Sequence, residues 1–262
     1  MRATYDGVMA RSLDITSEPH LGLALGGGGV LGAAHVGVLQ VLHERGIAPT
    51  IVAGTSAGAV IGAAYAVGID VYELEEMVIN ADWSDFGRLS FTPGLGLLDT
   101  DALRERIDMV AGVRAIEDLP VSFGAVATDL GTRDSVVLAQ GSVADAVAAS
   151  ISVPGLFRPL KIDGRILMDG GLTQNLPLEA AFDLGATHVI GVRLAEEWDG
   201  LEPFRTSGEV HALEVGTNVT MIRPRLEGHS QWHVDDLPAL VRHGREATEE
   251  VLSEYPVVAV RS

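Results

Sequence analysis

Apolar positions along this chain gather into short unbroken runs that alternate with longer, periodic ones. The short runs are bounded by Gly, Pro or polar residues and read as buried strands. They are Leu21–Leu25, Ile51–Ala53, Val121–Ala127, Ser135–Ala139, Ile166–Met168, His188–Leu194 and Val219–Ile222. Between them the pattern predicts helices. Gly32–Arg45 carries Val38 and Leu42 on one face and stops at Gly46, and Ala57–Val67 ends at Gly68. Further helices are predicted at Val71–Ile79, from a Thr100 cap to about Val110, at Val143–Ala149 before Pro154, and at Leu178–Leu184 after Pro177. A last one runs from Leu237 to Glu254, with Pro238 tolerated in its first turn. Strands alternating with helices predict an α/β sheet covered by helices on both faces.

Three stretches fall outside this pattern. Residues 1–20 are polar without an apolar run, so they read as a flexible arm rather than a secretory signal, with one domain expected over 21–262. Residues 195–217 read as a polar surface loop. Residues 82–98 hold Trp83, Phe86, Phe91, Leu95, Leu97 and Leu98 with no helical or strand period. They read either as a loop on the domain's own core or as an apolar lip beside a site. The apolar stretch Ile51–Val67 is shorter than the ~20 residues a membrane helix needs, and a strand, turn and buried helix explain it better.

Composition narrows the function classes. At 262 residues and 47% hydrophobic, the chain can bury one sizeable core and is not disordered. The net charge of -18 argues against nucleic acid, which needs a basic face to displace counterions. It also disfavours Coulombic adsorption to anionic membranes, while leaving transient apolar contact with a membrane or micelle open. With no cysteine, disulfides, thiolate catalysis and Cys-bound metals are excluded. A cytoplasmic protein, peripheral at membranes at most, is the expectation.

Two glycine motifs carry the chemistry. Gly26–Gly32 follows the first strand and opens a helix, and Gly27, Gly29 and Gly32 spell G-x-G-x-x-G. That spacing can mark a dinucleotide site, but no acidic residue ends the next strand. Successive glycines can instead turn their N–H groups outward as an anion-binding nest. The next strand runs into Gly54-Thr-Ser56-Ala-Gly58, a nucleophile elbow between strand and helix. An exposed serine hydroxyl beside free backbone donors is what acyl transfer requires. A base for Ser56 could be a histidine of a Ser–His–Asp triad, with His188, His211, His229, His233 and His243 as candidates after the elbow. None of them sits in a Gly-flanked turn. Asp169 does: it ends the strand Ile166–Met168 and precedes Gly170 and Gly171, at the strand edge where open α/β sheets carry their sites.

Taken together, Gly26–Gly32, Gly54–Gly58, Ala149–Phe157 and Asp169–Pro177 resemble the patatin-like phospholipase family, in its compact bacterial form, over roughly Leu21 to Glu250. The resemblance implies a three-layer α/β/α sandwich with a central, mostly parallel sheet. It implies a lipid acyl hydrolase or esterase in which Ser56 is the nucleophile and Asp169 its base, acting through an acyl-enzyme. The oxyanion hole would come from Gly27, Gly28, Gly29 and Ala57, with Gly32, Gly54, Gly58, Gly170 and Gly171 as motif glycines. A lipid or fatty-acyl ester is the implied substrate, with no cofactor and no metal. A non-catalytic or weakly catalytic regulatory protein on the same fold, and a triad esterase, are the alternatives. One position departs from the pattern: Leu31 stands where the family usually has Arg or Lys. Leu31→Arg is therefore expected to be tolerated and to raise activity on phospholipids more than on neutral esters.

Overall fold

The computed structural model describes residues 20–80, 88–89, 96–112, 114–195, 212–233 and 236–254. The expected N-terminal arm and most of the proposed apolar lip lie outside the described residues.

Eleven strands and seven helices of regular length follow one another among the described residues. The strands are β1 (Leu21–Leu25), β2 (Ile51–Thr55), β3 (Arg88–Leu89), β4 (Gly96–Asp99), β5 (Ser122–Asp129), β6 (Ser135–Leu138), β7 (Gly155–Phe157), β8 (Leu160–Ile162), β9 (Arg165–Asp169), β10 (His188–Val192) and β11 (Val219–Ile222). The helices are α1 (Ala33–Glu44), α2 (Ala57–Val67), α3 (Val71–Ile79), α4 (Asp101–Ala111), α5 (Val143–Ser150), α6 (Leu178–Asp183) and α7 (Leu237–Glu254). A short 3-10 turn, Gly29–Gly32, leads into α1. The elements expected from the apolar pattern are present with ends shifted by a residue or two. Strands β3, β4, β7 and β8 were not foreseen, β3 and β4 in the stretch read as lacking a strand period: two to four residues are too few to establish a period of two.

The main sheet runs β11-β10-β1-β2-β5-β9-β8, with β6 on the far edge of β5. From β11 to β5 every pairing is parallel, while β6, β8 and β9 are antiparallel additions. Alternation along the strands divides the core between the two faces. Leu23, Leu25, Val52, Phe123 and Val192 pack with α1, α2, α5 and α7 on one face. Ala24, Ile51, Ala53, Val126 and Val189 pack with α6 on the other. The molecule is a three-layer α/β/α sandwich with unequal outer layers. The stretch Ile51–Val67, which hydropathy alone could mistake for a membrane span, divides into β2 and α2. Among the described residues no helix is long and apolar enough to cross a membrane.

Helix α7 lies across α1 at unusually short range. A Cβ on Gly37 would meet the Val241 carbonyl oxygen at 2.0 Å, and one on Gly244 would meet that of Ala34 at 1.9 Å. Side chains at those positions would force the helices apart, so both glycines serve close packing rather than a turn.

Leu31 corrects the expectation drawn from the family pattern. Its side chain is only 6% exposed and belongs to the main core rather than to an open site. Leu31→Arg would bury an unpaired cation or force the loop open. It is predicted to lower stability by about 2–4 kcal/mol, measurable as a reduced urea midpoint at unchanged slope. A midpoint equal to wild type would show that the side chain can leave the core freely.

Candidate active site

Register explains why a serine and an aspartate far apart in sequence come together. Strand β2 runs parallel to β5 and ends with Thr55 opposite Val126. Strand β9 runs antiparallel and ends with Asp169 opposite Ala127. Strand β6 overlaps both in register, so it must occupy the other edge of β5. Thus β2 and β9 lie on one edge and meet end to end at successive positions of β5. The residue after β2 is Ser56, and the residue ending β9 is Asp169.

The chain must turn sharply to leave β2 for α2. Ser56 sits at φ 52, ψ -119, a conformation that a non-glycine residue rarely adopts and that costs on the order of 1–3 kcal/mol. Hydrogen bonds hold it there. The Ser56 N–H donates to Ser150 Oγ at 2.8 Å, and Ser150 Oγ donates to the Val126 carbonyl at 2.6 Å. The buried Thr55 hydroxyl donates to the Gln174 carbonyl at 2.8 Å. Close packing excludes side chains around the turn. A Cβ on Gly58 would lie 2.0 Å from the Leu25 oxygen, and one on Gly170 would lie 2.2 Å from the Val126 oxygen. Gly32 and Gly54 likewise face Ala57 and the Gly58 carbonyl with no room for a methyl group.

Asp169 is 2% exposed. Its Oδ1 accepts the Gly171 N–H at 2.7 Å, while Oδ2 has no partner of regular geometry. Burial raises its pKa to about 6, against opposing hydrogen bonds from Gly171 and the Ser56 hydroxyl. The carboxyl lines the same cavity as Ser56 and is a better proton acceptor than a solvated aspartate, yet still mostly ionised at neutral pH.

The glycine loop is pinned on both sides of two unused amides. Gly26 N–H donates to Val192 O and Gly27 N–H to Asn175 O, both at 3.0 Å. Val30 N–H donates to Gln231 O at 3.0 Å. Between them, Gly28 and Gly29 N–H have no hydrogen-bond partner among the described residues, and neither has Ala57 N–H at the start of α2. Gly27 must be withdrawn from the expected oxyanion donors: its N–H is committed to Asn175. His35 steadies the loop from below. It is fully buried, its pKa lowered to about 4 chiefly by desolvation, so it is neutral and its Nε2–H donates to Gly26 O at 2.8 Å.

Two cavities open beside Ser56. One, of about 590 Å³, is apolar and runs past Val60, Ile151, Val153, Leu156 and Phe157. The other, of about 340 Å³, is more polar and reaches Asp169, Asn175, Ala195 and Gln231. Trp232, 43% exposed, borders both. His35, Gln231 and Trp232 were missed in the sequence, and Ser150 and Asn175 were noted only within the stretches Ala149–Phe157 and Asp169–Pro177, with no role assigned. Their contacts are between distant segments, and no local pattern marks them.

The histidine candidates stand apart from this arrangement. His188 pairs with Leu21 at the opposite end of β1 and β10. His229 and His243 pack against each other edge to face, and His233 Nδ1 contacts Ser230 Oγ at 3.0 Å. None of these four lines either cavity. His211 lies outside the described residues. Among the described residues no group of three or more His, Asp or Glu side chains gathers as a metal site.

Residues 23–182 match the model of the family described as patatin-like phospholipase. An NTE family protein of Mycobacterium tuberculosis is 38% identical over 188 residues, covering 68% of this chain and 50% of the relative. The neuropathy target esterase of Drosophila melanogaster is 31% identical over 188 residues, covering 68% of this chain and 13% of the relative. The chain thus spans about half the length of the mycobacterial relative and a small part of the fly one. The crystal structure of VipD from Legionella pneumophila superposes with a TM-score of 0.63 at 16% identity, covering 91% of this chain and 68% of that one, a likeness of fold.

The raised pKa of Asp169 has a consequence for stability. The folded state binds this proton more tightly than the unfolded chain, so raising pH from about 4 through about 6 makes the ionised carboxylate a growing burden on the fold. Asp169→Asn removes that burden and keeps an acceptor for Gly171 N–H. Its melting temperature relative to wild type is predicted to rise between pH 5 and pH 8. A relative melting temperature that falls over that interval would contradict the assignment.

Proposed function

The chain belongs to the patatin-like phospholipase family, and on that premise we propose that it hydrolyses carboxylic esters of lipids with a Ser56–Asp169 pair. The observation that carries this reading is the buried Asp169 carboxyl against the Ser56 hydroxyl at the meeting of β2 and β9. No histidine relay is needed on this reading, because carboxyl and hydroxyl line the same cavity and the carboxyl's pKa is raised toward neutrality.

In the first step Ser56 Oγ attacks the ester carbonyl carbon as its proton passes to the Asp169 carboxylate. The carbonyl oxygen becomes an oxyanion beside the unpaired amides of Gly28, Gly29 and Ala57. One such donor is worth roughly 3 kcal/mol to the transition state, and the N-terminus of α2 adds its dipole. The tetrahedral intermediate then collapses. The alcohol leaves with the proton from Asp169, and the acyl group stays on Ser56. Water attacks that ester with Asp169 again taking the proton; the second tetrahedral intermediate collapses as that proton passes to Ser56 Oγ, and the carboxylic acid is released.

The two cavities suit the two halves of such a substrate. The apolar one, past Val60, Leu156 and Phe157, suits an acyl chain. The polar one, toward Asn175 and Gln231, suits the alcohol or head group. Leu31 provides no cation for a phosphate, being buried in the core. This favours acyl chain over phosphate as the main recognition element, and so an esterase of broad head-group tolerance.

The test is hydrolysis of a panel of p-nitrophenyl esters and phospholipids by wild type and Ser56→Ala. Ser56→Ala is predicted to remain folded and to lose at least ~10³-fold in kcat/KM. For wild type, kcat/KM should fall on the acid side with an apparent pKa near 6, as protonation removes the base. Unchanged hydrolysis by a folded Ser56→Ala protein, or an acid limb near 4, would overturn the reading.

A further inference from the structure

A second apolar cavity, larger than the one beside Ser56, lies on the other side of Val60. It is an open cleft of about 750 Å³, solvent at its mouth included, between α2, α3, α4 and α5. Its walls include Ala64 and Val67 of α2, Leu74 and Val78 of α3, and Ile107 of α4. The catalytic reading makes no use of it.

Among the described residues of its lining one carries a charge, the exposed Arg106, whose stem borders the apolar wall. In a protein of net charge -18, with acidic neighbours at Glu105 and Asp108 on the same helix, that choice of sign is notable. Nearby Arg104 is paired with Asp101 and Asp145. Arg106 has no ion pair among the described residues. An apolar cleft with the unpaired guanidinium of an exposed arginine beside it complements a molecule that is a hydrocarbon chain ending in a carboxylate. A neutral lipid would leave the cation unused, and a phospholipid head group is bulkier than one rim arginine can hold.

We propose that this cavity is a binding site for a free long-chain fatty acid, with the tail between α2 and α3 and the carboxylate on Arg106. Choosing a fatty acid draws support from the hydrolase reading, which releases one, but the binding itself requires no catalysis. Val60 forms a wall of both cavities, and its N–H donates to the Ser56 carbonyl at 3.2 Å. Product held here would therefore press on the turn of α2 that begins at the nucleophile.

The experiment is equilibrium dialysis of radiolabelled palmitate, below its critical micelle concentration, against the full chain carrying Ser56→Ala. Three further substitutions are compared on that background. Arg106→Glu, at an exposed position, should weaken palmitate binding roughly fivefold at low salt, less at high salt, and leave hexadecanol binding unchanged. Ala64→Trp should fill the cavity and abolish binding of both. Leu156→Trp, which narrows the cavity beside Ser56, should leave one palmitate bound. Loss of binding with Leu156→Trp alone, or indifference to both Arg106→Glu and Ala64→Trp, would overturn the proposal. So would the absence of saturable binding. If wild type hydrolyses no ester but the binding pattern holds, the hydrolase reading fails and the fatty-acid site stands.

Discussion

The site depends on two strands meeting end to end along one edge of β5. Parallel β2 and antiparallel β9 stop at adjacent rungs, Val126 and Ala127, so that the residues at their ends face each other. A parallel strand in the place of β9 would carry its C-terminal residue away from Ser56. The antiparallel addition to a parallel sheet is thus the feature that makes a two-residue site geometrically available. The order of strands alone would not do it, because register fixes which residues come last.

Holding that meeting point has a cost, and the surrounding polar groups offset it. Ser56 is kept in a strained turn, and Asp169 is kept ionised where water is scarce. Buried Ser150 ties the turn to β5, Thr128 donates to the Asp169 carbonyl at 2.9 Å, and Gly171 neutralises one carboxylate oxygen. Each bond lost would leave a buried group unsatisfied, at about 1–3 kcal/mol. The buried pair of Arg193 with Glu214 extends the same support outward, since Arg193 also donates to Ala195 O at the edge of the polar cavity. On the proposed reading, the strain at Ser56 and the burial of Asp169 are what make the pair reactive.

Much of this was legible in the sequence because the constraints are local. A strand that must enter a helix within one sharp turn needs Gly54, Ser56 and Gly58 at fixed spacing. A loop that must expose its amides needs consecutive glycines. The strand ends around β1, β2 and β11 follow from apolar runs bounded by polar residues. What stayed hidden depends on contacts between distant segments. That Gly27 donates to Asn175, and so is lost to an oxyanion, follows from the fold of residues about 150 positions downstream. Ser150, Gln231 and Trp232 act through the same kind of long-range closure. Leu31 misled because sequence position in a loop does not reveal which way the side chain turns, and here it turns into the core.

The central claim is that Asp169 takes the proton from Ser56 with no other base. It is tested most directly by following covalent acylation of the protein with a slowly deacylated p-nitrophenyl ester, read by intact-mass and peptide mass spectrometry for wild type and Asp169→Asn. The account predicts a single acyl adduct on Ser56 in wild type and a rate slower by at least ~10³-fold in the folded Asp169→Asn protein. Acylation of Asp169→Asn at the wild-type rate, or an adduct on a residue other than Ser56, would contradict it.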